Sequence, residues 1–140
     1  MILLDTNVLS ELMKASPNTR VLDWVDHHPP TNLWVSAVSK AEIALGIALL
    51  PSGKRQDALA LAADAIFADD FVERCLPFDA AAASHYAQLV AHRTHLGLPI
   101  STEDAQLAAI ALTHGLTLAT RNVTDFGEIA GLSVLNPWEI

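Results

Sequence analysis

Five short apolar runs punctuate the chain, separated by longer segments whose apolar residues recur at spacings of three and four. The runs are Ile2-Leu3-Leu4, Leu33-Trp34-Val35-Ser36, Cys75-Leu76-Pro77-Phe78, Leu116-Thr117-Leu118-Ala119 and Ser133-Val134-Leu135. Runs this short and this apolar read as strands buried in a sheet, and the segments between them read as helices. Strands and helices that alternate predict an α/β fold: a parallel sheet with helices on both faces.

Start and stop signals place the helices. Asn18 can cap one that runs to about His28 and ends at Pro29-Pro30. Ser39 precedes another over Lys40 to Leu49, closed by Pro51-Ser52-Gly53. Lys54 to about Asp69 aligns Leu59, Ala62, Ala63 and Ile66 on one stripe. Asp79 opens a helix to Gly97, and Ser101 or Thr102 opens the last long one, with Gly115 in the usual stop position.

Composition narrows the class further. Hydrophobic residues at 51% against charged residues at 17% exclude a disordered acidic tail. The 140 residues fit one domain, 1–140, large enough to fold without a disulfide or a metal. Cys75, the single cysteine, excludes an intrachain disulfide framework and a thiolate zinc site, so a reducing, cytoplasmic setting is expected. No apolar run is long enough to span a bilayer, and Asp5 interrupts the first run where a secretion signal would continue, so no membrane partner is expected. The charge is the odd feature: 16 acidic residues against 8 Lys and Arg, a formal net charge of -8. By itself that argues against a nucleic-acid binder, because phosphate neutralisation by Lys and Arg dominates such affinity.

The positions of the acids decide the matter. Asp5 closes the first run, and ligands of parallel α/β sheets bind at the carboxyl ends of strands; Asp5 or Thr6 also suits the cap of the next helix. Ser39-x-x-Glu42 spells a capping box, yet Glu42 also shares a stripe with Leu45, Gly46 and Leu49, predicted as the buried side. A buried carboxylate needs a partner or a metal, and Gly46 inside the helix points to close packing. Asp104 repeats the arrangement after Ser101, with Leu107, Ala108 and Ala111 on its face; the adjacent Glu103 sides with Gln106, Leu107 and Ile110. Asp125, after the fourth run, reads as a ligand, a water-mediated contributor or a cap for the turn at Phe126.

Gathered at one end of a sheet, these carboxylates repel one another unless a cation lies between them. Oxygen donors without thiolate or imidazole favour Mg²⁺ or Mn²⁺. Such an ion activates water and neutralises charge on a phosphodiester. The pattern therefore points to metal-dependent phosphoryl chemistry.

In order along the chain, Met1-Ile2-Leu3-Leu4-Asp5-Thr6-Asn7, Ala41-Glu42-Ile43 with Gly46, Asp104 with Leu107-Ala108-Ala109, Thr120-Arg121-Asn122 with Asp125-Phe126, and Asn136-Pro137-Trp138 carry a resemblance. The sequence resembles the PIN-domain ribonucleases, and within them the VapC or FitB type of toxin from toxin–antitoxin pairs, from end to end. The resemblance implies a three-layer fold around a central five-stranded parallel sheet. It implies Mg²⁺ or Mn²⁺ held by Asp5, Glu42 and Asp104 with Asp125 nearby, and endonucleolytic cleavage of single-stranded RNA. A homodimer is also implied, as is a cognate antitoxin of VapB or FitA type whose C-terminal segment blocks the groove. Thr6, Asn7, Thr120 and Asn122 match positions that orient the acids or the attacking water. Arg121 and Lys40, close to the acids in sequence, are candidates to hold RNA phosphate. Periodicity favours Asp104 over Glu103 as the acid that faces the metal.

Other signals are weaker. His85, His92 and His95 share one predicted helix without a second ligand pair, and read as polar helix surface rather than a zinc site. His27 and His28 suit a helix end, and Cys75 reads as a small buried hydrophobe. Trp24, Trp34 and Trp138 fill the core or an interface, and the apolar segments Val8-Leu9-Leu12-Met13 and Leu45 to Leu50 exceed what one small sheet needs, which favours a protein partner. Two rival classes remain: a catalytically silent PIN-like interaction module, and a haloacid-dehalogenase-like phosphatase. The latter normally carries a second aspartate where Asn7 stands. Under the nuclease reading a cation inverts the local sign of the acidic pocket, so the net charge predicts weak RNA binding without metal rather than none.

Overall fold

The structure, a computed structural model, describes residues 1–140. Strand β1 (Ile2–Leu4) lies at its centre, paired in parallel with β2 (Leu33–Ser36) on one side and β4 (Thr117–Ala119) on the other. Strand β3 (Cys75–Leu76) extends the sheet beyond β2, and β5 (Val134–Leu135) extends it beyond β4. The sheet is parallel throughout, in the order β3-β2-β1-β4-β5, as the alternation of runs and helices predicts. Side chains along a strand alternate between faces. Leu3 accordingly enters one apolar cluster while Ile2 and Leu4 enter another, one core on each face of the sheet.

The chain moves outward from β1 through β2 to β3, then returns to place β4 on the opposite side of β1. Strand order therefore reverses between β1 and β4. A crevice opens beyond the carboxyl ends of the strands at such a reversal.

Six helices cover the sheet: α1 (Thr6–Leu12), α2 (Thr19–Asp26), α3 (Ala37–Ala48), α4 (Lys54–Asp64), α5 (Ala80–His95) and α6 (Thr102–His114). Several ends follow from single residues. Asn18 Oδ1 accepts from the N–H groups of Arg20 and Val21 at 2.9 and 3.3 Å, Asp79 Oδ1 accepts from Ala82 N at 3.0 Å, and Ser101 Oγ accepts from Asp104 N at 3.1 Å. Gly115 ends α6 in the left-handed conformation at φ 64°, which glycine adopts without the cost an L side chain meets. Helix α4 passes into a wider π turn over Ala65–Asp70 instead of continuing as α-helix to Asp69.

The third helix differs from its expected form. It starts at Ala37, and its cap is Ser36, whose Oγ accepts from Ser39 N at 3.1 Å. The Ser39–Glu42 capping box therefore does not form, because β2 runs straight into the helix and the earlier serine takes the cap. Nor is the Glu42, Leu45, Gly46, Leu49 stripe buried: Glu42 is exposed, and Leu45 and Leu49 are 60% and 76% exposed. Leu61 on α4 adds another leucine at 73% exposure. A Cβ built on Gly46 would meet nothing within 4 Å, so close packing does not account for this glycine.

Helix α6 shows the opposite pattern. Ala105 and every residue from Leu107 to Ala111 are buried, and the four alanines among them let the helix lie against the sheet and α5. Val8 and Leu9 of α1 are likewise core, whereas Trp24, Trp34 and Trp138 are half-buried. The rings of His27 and His28 hydrogen-bond the carbonyls of Asp23 and Trp24 at the end of α2. Cys75 is half-buried, and burial pushes its thiol pKa up. No helix is long and apolar enough to cross a membrane.

Candidate active site

Asp5 stands at the carboxyl end of β1 and caps α1, so the capping and functional readings of this residue describe one geometry. Its Oδ1 accepts from Thr6 N at 2.6 Å and its Oδ2 accepts from the Thr120 hydroxyl at 2.6 Å. Thr120, wholly buried just past β4, is fixed in turn: its Oγ1 accepts from Asn7 Nδ2 at 3.3 Å and from Asn122 N at 3.1 Å. Asn7 Oδ1 accepts from Arg121 N at 3.4 Å, which ties the loop after β4 back to α1. Thr120, Asn7 and Asn122 thus form a polar brace behind one carboxylate.

Glu42 enters from α3 through a second chain of hydroxyls. Thr6 donates to Glu42 Oε1 at 2.8 Å and lies 2.8 Å from Ser39 Oγ, while Ser36 donates to Ser39 Oγ at 3.4 Å. A hydroxyl carries one hydrogen. Once Thr6 gives its hydrogen to Glu42, Ser39 must give its own to Thr6, so the donors run from Ser36 through Ser39 and Thr6 to the carboxylate. Ser36 and Ser39 are both completely buried, and every hydroxyl in the series has a partner.

Asp104 comes from the first turn of α6, half-buried, with Glu103 exposed beside it. Asp5, Glu42 and Asp104 line one pocket at the reversal of strand order, together with Thr6, Asn7 and Asn122. Asp125 sits apart from them. It is exposed, lies inside a 3-10 turn over Val123–Phe126 rather than capping a turn at Phe126, and does not line the pocket. Its charge still reaches Asp104.

Burial dominates the electrostatics. It pushes Asp5 up to about 6, against the opposing effect of the Thr120 and Thr6 hydrogen bonds and with added repulsion from Asp104 and Glu42. Asp104 is raised for the same first reason, with Asp125 and Glu103 adding to the rise and Ser101 and Arg93 opposing it. The carboxylates face one pocket without closing to coordination distance: no group of three or more Asp, Glu, His or Cys side chains is drawn together tightly enough to hold an ion.

Charged groups surround this acidic centre. Arg121 lines the pocket, and its guanidinium lies 5.1 Å from the Trp138 ring centroid. Lys40 does not line it: it is exposed on α3, where its charge is felt at Cys75. The lysine at the pocket is Lys14, which donates to Glu11 Oε1 at 3.0 Å. Glu11 is buried, also accepts from Asn18 N at 3.1 Å, and is held below the usual carboxylate range chiefly by Lys14.

Arg93 on α5 also escapes a reading of the sequence. It is 5% exposed and has no carboxylate partner. Its guanidinium donates to four carbonyls: Leu98 at 3.1 Å and Pro99 at 3.2 Å ahead of α6, and Asp125 at 2.9 Å and Gly127 at 2.7 Å after β4. One side chain therefore fastens the segment leading to Asp104 to the segment carrying Asp125.

A parallel sheet with this strand order, and a pocket of oxygen donors where the order reverses, define a carboxylate-lined α/β domain. The PIN domain family matches residues 2–132, and the chain belongs to that family. It is 42% identical over 139 residues to VapC ribonuclease Y4jK of Sinorhizobium fredii, covering 99% of both chains. Toxin FitB of Neisseria gonorrhoeae is 41% identical over 138 residues, again with 99% of both chains covered. The crystal structure of FitAcB from Neisseria gonorrhoeae superimposes with a TM-score of 0.91 at 40% identity, covering 100% of both chains.

Proposed function

We propose that this chain, acting over residues 1–140 as one domain, is a Mg²⁺- or Mn²⁺-dependent endoribonuclease that serves as the toxin of a toxin–antitoxin pair. The observation that carries the reading is the convergence of Asp5, Glu42 and Asp104, from three separate elements, on one pocket at the reversal of strand order. Relatives named as a VapC ribonuclease and as toxin FitB, alike over the full length, support the same activity.

The donor types of the pocket, rather than their present spacing, fit a hard divalent cation. All the donors are oxygens, and burial raises Asp5 to about 6, a cost that a cation removes. When bound, the ion supplies an activated water and neutralises charge at a phosphodiester. The chain does the rest. Thr6 N and Thr120 fix the Asp5 carboxylate, Thr6 fixes Glu42, and the cap at Ser101 sets Asp104 in the first turn of α6. Asn7 and Asn122 hold Thr120 in place. Asp125 adds negative potential at Asp104 from outside the pocket. Arg121 and Lys14 supply positive charge to a single-stranded RNA backbone entering the pocket.

An apolar groove leads away from this pocket. Thr6, Ser10, Lys14 and Glu42 border both, and Met13, Ile43, Ile47 and Leu59 line the groove beyond them. The apolar face of an amphipathic helix suits such a surface, and a VapB- or FitA-like antitoxin seated there would lie across the entrance to the acids. A cytoplasmic homodimer completes the reading, with exposed Leu45, Leu49 and Leu61 available for protein contact.

The test is cleavage of RNA by the chain purified without a partner. Cleavage is expected with Mg²⁺ or Mn²⁺ and is expected to vanish in EDTA and in Asp5→Asn. Activity that survives both treatments overturns the metal mechanism. A chain that shows neither cleavage nor Mn²⁺ binding dependent on Asp5 and Asp104 is the silent interaction module instead.

A further inference from the structure

Among the eleven residues that line the acidic pocket, Trp138 is the one hydrophobic side chain. The chain holds it there with care. Pro137 beside it is fully buried, Trp138 N donates to Asn136 Oδ1 at 2.9 Å, and Asn136 Nδ2 donates to the Arg121 carbonyl at 3.3 Å. Arg20 on α2 donates to the Trp138 carbonyl at 3.2 Å, so both backbone polar groups of Trp138 are held. The indole is only half-buried: part of it packs on the core cluster beneath, and part forms the pocket wall.

Core filling accounts for the packed part alone. An aromatic ring left in the wall of a polar pocket, with a guanidinium 5.1 Å from its centroid, has the composition of a nucleotide subsite: the cation meets phosphate, and the ring meets a base. Arg121, whose guanidinium lies over the ring, is itself anchored: its backbone N–H is tied to Asn7 in the brace behind Asp5. The position of the ring is thereby coupled to the position of the acids.

We infer that Trp138 and Arg121 form a base-stacking subsite for one nucleotide of a single-stranded RNA next to the cleaved bond. The inference rests on the ribonuclease reading and deepens it by naming where a base is held. Stacking on a ring tolerates any base, so the subsite recognises a base as such and contributes little sequence preference.

The experiment reads Trp138 directly. Trp24→Phe and Trp34→Phe in one chain leave Trp138 as the single indole. Two probes of equal length, an oligoadenylate and an abasic ribose-phosphate chain, each end-labelled with fluorescein so that anisotropy reads affinity in every variant including those without an indole, are titrated in cobalt(III) hexammine, whose inert shell neutralises carboxylates without offering a bound water for cleavage. The oligoadenylate is expected to quench the emission and to bind roughly tenfold more tightly than the abasic chain. In Trp138→Ala that advantage is expected to disappear while abasic affinity stays the same, and Trp138→Phe is expected to keep most of it. Arg121→Ala is expected to weaken both probes. Circular dichroism melts of each variant separate lost binding from lost fold, and Trp138→Phe keeps the test decisive if the alanine variant unfolds. Equal affinity for the two probes, or an advantage that persists in Trp138→Ala, overturns the subsite. Failure of both probes to bind overturns it as well, and the cleavage assay then decides separately whether the ribonuclease reading stands.

Discussion

Thr120 gives its hydroxyl hydrogen to Asp5 Oδ2 at 2.6 Å, inside a wholly buried position just past β4. The bond fixes one oxygen of a carboxylate whose other oxygen is fixed by Thr6 N. Thr120→Val keeps the shape and removes the donor. It is expected to lower metal affinity or cleavage by roughly 10–100-fold, the usual cost of losing a group that orients a metal ligand. Thr120→Ser, which restores a hydroxyl, is expected to recover most of the loss. Calorimetric titration with Mn²⁺ and single-turnover cleavage check both variants.

The raised pKa of Asp5 sets a pH dependence with a definite sign. The unfolded carboxyl loses its proton near 3.8 and the folded one near 6, so between these values the folded chain holds more protons. Stability is then fully present below the lower value and falls as pH rises through the upper one, by up to about 3 kcal/mol. Without metal, the thermal midpoint is expected to fall between pH 4 and about 6.5, and Asp5→Asn is expected to lack that part of the fall. Mn²⁺ is expected to raise the midpoint more at pH 7 than at pH 5, because at the lower pH it competes with a proton.

Arg93 joins two segments through four carbonyls and has no anionic partner. Arg93→Met fills similar volume and leaves those acceptors unpaired, at an expected cost of about 2–4 kcal/mol. Arg93→Lys retains the charge but not the planar fork, and is expected to recover only part of the loss. Urea unfolding measures the stability of both, and cleavage at a temperature where each remains folded reports how far Asp104 and Asp125 have shifted.

Gly115 supplies a contrast remote from the pocket. An added Cβ would meet no atom within 4 Å, so Gly115→Ala is charged only with the left-handed backbone at φ 64°. The expected cost is about 1–2 kcal/mol, with cleavage per folded molecule unchanged. Denaturant midpoints and activity measured on the same preparation check the two halves of this statement.

Much of the architecture was legible because local chemistry and burial agree. Leu33–Ser36 is a strand as read, and Asn18, Asp79 and Ser101 cap the helices they precede. Asp5, Glu42 and Asp104 reach one pocket as their positions at element ends suggested. The differences have physical causes. Ser36 and Ser39 both satisfy a capping rule, and nothing local reveals that β2 enters α3 without a loop. The stripe of Glu42, Leu45 and Leu49 reads as inward because apolar residues normally face their own core, whereas these leucines face outward. Lys40 is close to Glu42 along the chain, yet Lys14 is the one that lines the pocket. Arg93 was invisible for a similar reason: its partners are backbone carbonyls, some of them more than thirty residues away, and no side-chain pattern announces them.

The outward leucines of α3 and α4 and the cations at the pocket are expected to respond oppositely to ionic strength. Copies carrying a net charge of -8 repel one another across a few Debye lengths, each about 8–10 Å at moderate salt. Added salt shortens that reach and leaves the attraction between apolar faces in place, so association of like chains should strengthen. Under the proposed ribonuclease reading, contacts of Arg121 and Lys14 with a phosphate backbone should weaken in the same solution. Dilution into low salt therefore favours a dispersed chain with those cation–phosphate contacts at their strongest, and concentrated salt favours the reverse.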